Sequence, residues 1–182
     1  MELKSKTIFL RLVEQSDAEF ILSLRINNNY SKYLSRVDDN LSEQERWLAD
    51  YKKREALEQE FYFIICRNSD SLPIGTVRIY DFIGDRESFS WGSWILNENK
   101  TRYAALECAL LIYDFAFFTL GFKRCHMDIR KQNIKVIEFH KKFGVKMIGE
   151  TEIDLLGHYF PEDYLSIREK INTMIESYDK IS

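Results

Sequence analysis

The segment Lys100-Thr101-Arg102-Tyr103-Ala104-Ala105 sets two cations and a hydroxyl at the head of an apolar stretch that runs from Tyr103 to Leu120. If that stretch is a helix, its first backbone N–H groups lack intrahelical acceptors, and the helix dipole adds positive charge at the same end. Such an end binds anions, and a pyrophosphate suits two cations beside a row of amides. The plainer alternative is a pair of solvated basic residues ahead of a helix. His140 lies three or four positions from Val136, Ile137 and Phe143, on the apolar side of another predicted helix. Position alone makes it a core histidine with one hydrogen bond. The carboxylates Asp81, Asp85 and Glu87 crowd one turn, where solvated side chains are the ordinary occupants. Metal chemistry has no foothold: Cys66, Cys108 and Cys125 show no CxxC spacing, and His126, His140 and His158 form no HExxH. An odd number of thiols suits a reducing compartment, so a cytoplasmic location is expected.

These residues need elements to hold them. Thr7–Leu12 reads as a short strand. Ser16-Asp17-Ala18-Glu19 has the spacing of a capping box and opens a helix with Phe20, Ile21 and Leu24 on one face, through about Asn28. The polar run Asn27–Asp39 shows no period and reads as a loop or broken helix. Ser42–Glu45 is a second capping box, opening an amphipathic helix with Trp47, Leu48 and Tyr51 on its apolar side. Phe61–Arg67, Ile74–Phe82 and Ser88–Leu96 are rich in aromatic and β-branched residues and separated by short turns, which predicts an antiparallel meander. The helix Tyr103–Leu120 stopped by Gly121, the strand Arg124–Arg130 and the helix Asn133–Phe143 stopped by Gly144 follow. Lys146–Leu155 and Tyr159–Ile167 read as a hairpin around Gly157, and Arg168–Tyr178 as a last helix. The order predicts an α+β fold with a mixed, mostly antiparallel sheet of about seven strands flanked by helices, in a single domain over residues 1–182.

Composition sets the outer limits. Only 7 Gly and 2 Pro leave no linker, and 13 Phe with 10 Tyr predict an aromatic core. A net charge of -3 argues against a general nucleic-acid partner, because neutralising phosphates needs a Lys/Arg excess. The stretch Ala104–Leu120 is interrupted by Glu107 and Asp114, so it is expected to be a buried helix and not a membrane span. The N-terminus MELKSKTIFLRL has too short an apolar run for a signal peptide.

With the elements in place, the run WGSWIL, then Glu107 and the chain through KRCHMDIRKQNIKVIEFHKKFGVKMIGE, resembles the GNAT superfamily of N-acetyltransferases, in the branch similar to the ribosomal-protein alanine acetyltransferases RimJ and RimL. Its most specific part is Asn133, then His140, then Lys142-Phe143-Gly144; Val145 stands where the family usually has Phe. The resemblance implies a splayed cofactor cleft. It implies acetyl-CoA as co-substrate, with Trp94, Ile95 and Leu96 hydrogen-bonding the pantetheine arm through their backbone. Lys100, Thr101, Arg102, Tyr103, Ala104 and Ala105 would then form the pyrophosphate loop, and Asn133 would contact the CoA arm. Tyr103 replaces a glycine of the family pattern, so either the cofactor sits differently here or it binds more weakly.

The same resemblance gives His140 a second reading, as the group that protonates departing CoA. A base must take a proton from the attacking ammonium, and Glu87, opening the strand that would flank the acyl group, is the candidate. Ser90 and Trp91 on that strand are expected to line the acceptor pocket, with Trp91 equally suited to the core. Asn28 and Tyr30 lie where the family's acceptor-side helices fall, and their uncharged groups suit a sugar or nucleotide better than a basic peptide. The expected function is therefore acetyl transfer to a primary amine, tilted towards a small-molecule or nucleotide-linked amino sugar. The alternatives are a protein N-terminal acetyltransferase and a non-catalytic acyl-CoA-binding module. No metal, nucleic acid or membrane partner is expected, and a monomer or homodimer fits equally.

Overall fold

The computed structural model describes residues 1–177. Eight strands form a mixed sheet in the order β1-β2-β3-β4-β5-β6-β8-β7. They are β1 (Glu2–Lys4), β2 (Ile8–Leu12), β3 (Phe61–Arg67), β4 (Pro73–Ile83), β5 (Ser88–Leu96), β6 (Cys125–Arg130), β7 (Lys146–Glu150) and β8 (Asp154–Tyr159). The fold class is α+β as expected, with one strand more than the sequence predicts. That strand is β1, whose three residues pair antiparallel with β2 but are too few to show a period. The pairing of β5 with β6 is parallel, with Phe89 opposite Cys125. Internal contacts divide the chain into two compact units. The first holds Met1–Phe82 and Trp91–Leu111; the second holds Ile83–Ser90 and the chain from Ile112 onward.

In the first unit, α1 (Ala18–Ile26), the short α2 (Asn28–Ser31) and α3 (Leu41–Ala56) accompany β1–β4. Their core is built from Val13, Ala18, Ile21, Leu48, Tyr51, Tyr62, Ile64 and Cys66, with Phe9 and Phe20 packed at its edge. Every residue of β3 from Phe61 to Cys66 is buried, so this strand is covered on both faces. Burying each such large side chain contributes roughly 1.5–3 kcal/mol over leaving it exposed. The helix starts differ from the predicted capping boxes. Asn40, and not Ser42, caps α3 by accepting from the Glu43 N–H at 3.3 Å. Ahead of α1 a 3-10 turn, Gln15–Asp17, carries the capping box between Glu14 and Asp17: Asp17 accepts from the Glu14 N–H at 2.8 Å and clasps Arg11 at 2.7 Å and 2.8 Å. Asp17 then stands at the N-cap position of α1 without a side-chain cap bond, so the predicted box at Ser16–Glu19 is replaced by one two residues earlier.

In the second unit the aromatic residues converge. Tyr113 sits edge-on to Tyr159 at 4.9 Å and stacked on Phe117 at 5.7 Å, while Phe89 packs on Phe122 at 5.1 Å. The predicted helix Tyr103–Leu120 is α4 (Ala104–Asp114) followed by a wide π turn, Phe115–Thr119, where the Leu120 N–H reaches back to the Phe115 carbonyl at 2.9 Å. The helix α5 spans Ile134–Lys142, and Asn133 caps it.

The predicted C-terminal hairpin is corrected. Residues 151–153 make the turn between β7 and β8, and Gly157 lies within β8, where a Cβ would meet Val145 at 3.0 Å and Met127 at 3.1 Å. Gly157 is therefore a packing glycine. Tyr159–Ile167 is not a strand, because Pro161 opens α6 (Pro161–Ser177) at the helix position where a missing N–H costs nothing. Tyr178, the predicted end of that last helix, lies outside the described residues. No described helix is long and apolar enough to cross a membrane, and no metal-binding group of His, Cys, Asp or Glu occurs among the described residues. All three cysteines are free and buried.

Candidate active site

The sequence-predicted residues fall in both units. In the first, the end of β5 and the loop after it are held to β4 and to β2. The Asn97 N–H donates to the Ile74 carbonyl at 2.8 Å. Successive residues of a strand direct their N–H groups to opposite edges, so the Leu96 N–H is turned away from β4. A Cβ on Gly75 would stand 2.0 Å from the Ile95 carbonyl oxygen, so only glycine lets β4 come this close to the Trp94–Leu96 backbone. Trp91 is buried against Trp94, ring centroids 5.1 Å apart. Between them Ser93 takes a φ of +47, a left-handed conformation that a non-glycine residue rarely adopts, and its carbonyl accepts from the Thr76 hydroxyl at 2.9 Å.

The loop Lys100–Ala105 is anchored from below by a residue the sequence reading used only as a landmark. Glu107, fully buried on α4, accepts from the Thr7 N–H at 2.7 Å, from Ser5 Oγ at 3.0 Å and from the Thr7 hydroxyl. That hydroxyl lies 2.7 Å from Thr101 Oγ1. A carboxylate inside an apolar helix was the available signal, since a buried charge must find hydrogen-bond donors. Ala104 opens α4 with its N–H on the Thr101 carbonyl at 3.3 Å, and the Arg102 guanidinium lies 5.5 Å over the Tyr103 ring. Lys100 is exposed and Ala105 half-buried. Tyr30, on α2, reaches the same loop through a hydrogen bond to Glu98, which raises its phenol above the ordinary range; Asn28 is exposed at the start of α2.

In the second unit, Asn133 makes no side-chain bond to its own helix, while its carbonyl accepts from Val136 and Ile137 at 3.1 Å. His140 is buried, edge-on to Phe139 at 5.7 Å, and burial lowers its pKa to about 4. The ring is neutral at physiological pH. A neutral imidazole offers one N–H donor and one acceptor nitrogen, and it carries no proton to give as an imidazolium. Glu87 is exposed and ion-paired with Lys123, the setting of a surface carboxylate. Ser90 is buried; the neighbouring Ser88 hydroxyl lies 2.6 Å from His126 Nδ1.

Comparison with known proteins agrees with this architecture. The sequence pattern of the acetyltransferase (GNAT) domain matches residues 7–146. The chain belongs to the GNAT acetyltransferase family. Among relatives of this GNAT enzyme, "Probable N-acetyltransferase YjcK" of Bacillus subtilis (strain 168) is 29% identical over 152 residues, covering 77% of this chain and 84% of YjcK. Among solved structures, FdhC, described as a nucleotide-linked sugar GNAT in its apo form, is 45% identical with a TM-score of 0.86, covering 93% of this chain and 96% of FdhC. A ribosomal-protein-S5-alanine acetyltransferase from Vibrio fischeri shares the fold at 15% identity and a TM-score of 0.75, over 90% of this chain and 98% of its own. This GNAT chain is thus an N-acetyltransferase of the family, with a mixed, open sheet.

Proposed function

We propose that this enzyme transfers the acetyl group of acetyl-CoA to a primary amine on a nucleotide-linked amino sugar. The observation that carries the acceptor class is the 45% identity to FdhC over nearly the whole of both chains, FdhC being a nucleotide-linked sugar GNAT. The polar acceptor-side segment supports it: Asn28, Tyr30 and Ser35 offer uncharged hydrogen-bonding groups of the kind that sugar hydroxyls pair with.

The residues present fit the CoA donor. The Leu96 N–H, turned away from β4, suits an amide of a pantetheine arm, and Thr101 with the start of α4 suits its pyrophosphate. Lys100 and Arg102 add the cations, and Tyr103 narrows the loop where the family carries glycine. Asn133, with no capping bond to its own helix, is free to contact the arm. The amine, having lost its ammonium proton to solvent, attacks the thioester carbonyl carbon. The C–S bond breaks, the sulfur departs as thiolate, and the proton that nitrogen sheds as the amide forms passes through solvent to the thiolate. A backbone N–H of the Trp94–Leu96 strand holds the oxyanion through the tetrahedral stage. A CoA thiol near the usual range, about 8.5, leaves without needing a full proton donor, so the neutral His140 assists by an N–H hydrogen bond and not as an imidazolium acid. No role is proposed for Glu87, whose exposed carboxylate is occupied by an ion pair with Lys123.

Thermal shift with acetyl-CoA and CoA, followed by thiol release on a panel of nucleotide-linked amino sugars, aminoglycosides, polyamines and N-terminal peptides, tests this reading. Stabilisation by acetyl-CoA and fastest thiol release with an amino-sugar nucleotide are expected. Faster release with a polyamine or peptide overturns the acceptor class, and no stabilisation overturns the donor.

A further inference from the structure

The first unit contains a cavity of about 190 Å³ that none of the roles above uses. Arg25 from α1 and Arg78 from β4 line it, with Ser35, Gln44, Trp47 and Ser93; no carboxylate does. The room equals that of about six waters at ~30 Å³ each, enough for a small polyatomic anion and too little for a whole nucleotide. Arg25 is tethered by one nitrogen, which donates to the Ser35 carbonyl at 2.7 Å and to Ser35 Oγ at 2.8 Å. Arg78 lies 4.5 Å over the Tyr80 ring and 5.5 Å over Trp47. The Nε–H groups of both arginines are buried and find no acceptor among the described residues.

Charge accounting points the same way. The carboxylate near Arg78 is Glu60, 3.6 Å away, and Glu60 is engaged more closely by Arg54 at 2.5 Å. Glu60 is outside the cavity lining, and Arg54 and Arg78 share its single negative charge. Burial disfavours the Arg25 cation, and Arg78 adds like-charge repulsion. Two arginines brought together with buried, unused donors are stabilised by an anion, and the guanidinium fork matches phosphate oxygens two at a time. An adjoining cavity of about 260 Å³, which shares Val37, Gln44 and Trp47, has Arg36 offset by Asp38 and Glu43. With one cation against two carboxylates it repels an anion, so the phosphate-binding charge is confined to the Arg25–Arg78 cavity.

We propose that the Arg25–Arg78 cavity is the subsite that holds the diphosphate of the acceptor. The proposal rests on the nucleotide-linked reading above and adds the residues that select for it. Ser93 ties the subsite to the chemistry: it lines the cavity, it is held in its unusual conformation, and the next residue is Trp94, the first of the Trp94–Leu96 stretch proposed to hold the donor. Strain of this kind persists where the surroundings over-determine it, often at ligand clamps.

The test is calorimetric titration of dTDP, UDP and inorganic pyrophosphate into protein already saturated with CoA, so that the Lys100–Ala105 loop cannot be the receiver. Wild type is expected to bind a nucleoside diphosphate, and Arg25→Gln and Arg78→Gln each to weaken it at least tenfold with unchanged acetyl-CoA affinity. Ser35 is exposed, so Ser35→Glu puts a carboxylate at the rim without removing a buried side chain, and it is expected to abolish binding. Pyrophosphate binding that falls in the same variants supports the diphosphate as the recognised group. Wild-type protein that binds acetyl-CoA and no nucleoside diphosphate overturns the subsite, and so does equal dTDP affinity in Ser35→Glu. Failure of acetyl-CoA to bind overturns the transferase reading itself, which separates the two outcomes.

Discussion

His140 shows how burial redirects a residue's chemistry. Its pKa falls to about 4 in the folded protein against an ordinary value near 6.5, so the unfolded chain takes up a proton first as pH drops. Burying the neutral ring costs no stability through protonation above about pH 6.5; the loss grows between 6.5 and 4 and reaches about 3 kcal/mol below that. Urea unfolding at pH 7 and pH 4.5 should show His140→Phe losing less stability on acidification than wild type; equal losses would show that the ring titrates normally. In catalysis, His140→Ala is expected to lower kcat by roughly ten- to a hundredfold with little change in acetyl-CoA affinity. A rate unchanged at saturating substrates removes the residue from the mechanism. The Asn133–His140 spacing was legible in the sequence because both lie on one short helix. Arg25 and Arg78 were not, because nothing local marks two arginines far apart in sequence that the fold turns into one cavity.

At the scale of elements, the loop proposed to hold the donor depends on how the residues just before β2 are fastened to α4. Glu107→Ala leaves the Thr7 N–H and two hydroxyls without their acceptor, and an unsatisfied buried donor costs about 1–3 kcal/mol. Urea titration should register that loss, and because Thr101 is held through Thr7, the KM for acetyl-CoA should rise. Glu107→Gln keeps one acceptor oxygen and should lie between. If KM stays constant while stability falls, Glu107 serves the core alone. The meander β3–β4–β5 was legible because runs such as FYFIICR are strongly β-prone and separated by turns. Helix starts were less so: Asn40 and the Glu14–Asp17 pair stood close to the serines that fitted the capping pattern, and the caps shifted by two residues. The hairpin slipped because Gly157 was read as a turn when its missing side chain makes room for Val145 and Met127.

For the whole molecule, the order of elements foretold the α+β class and composition the aromatic core, while the division into two compact units left no trace in the sequence. It passes between Ser90 and Trp91 and between Leu111 and Ile112, inside regular elements where no linker composition could flag it. The three cysteines have a consequence of another kind. Cys66, Cys108 and Cys125 are buried, and burial raises each thiol above its ordinary range, so none presents a reactive thiolate. A colorimetric disulfide reagent added to the native enzyme should therefore register a flat trace until acceptor is supplied, after which every thiolate it consumes has come from CoA. In mild denaturant the slow emergence of the protein's own three thiols becomes a clock for local opening, and the order in which Cys66, Cys108 and Cys125 are labelled ranks the solidity of the regions that enclose them.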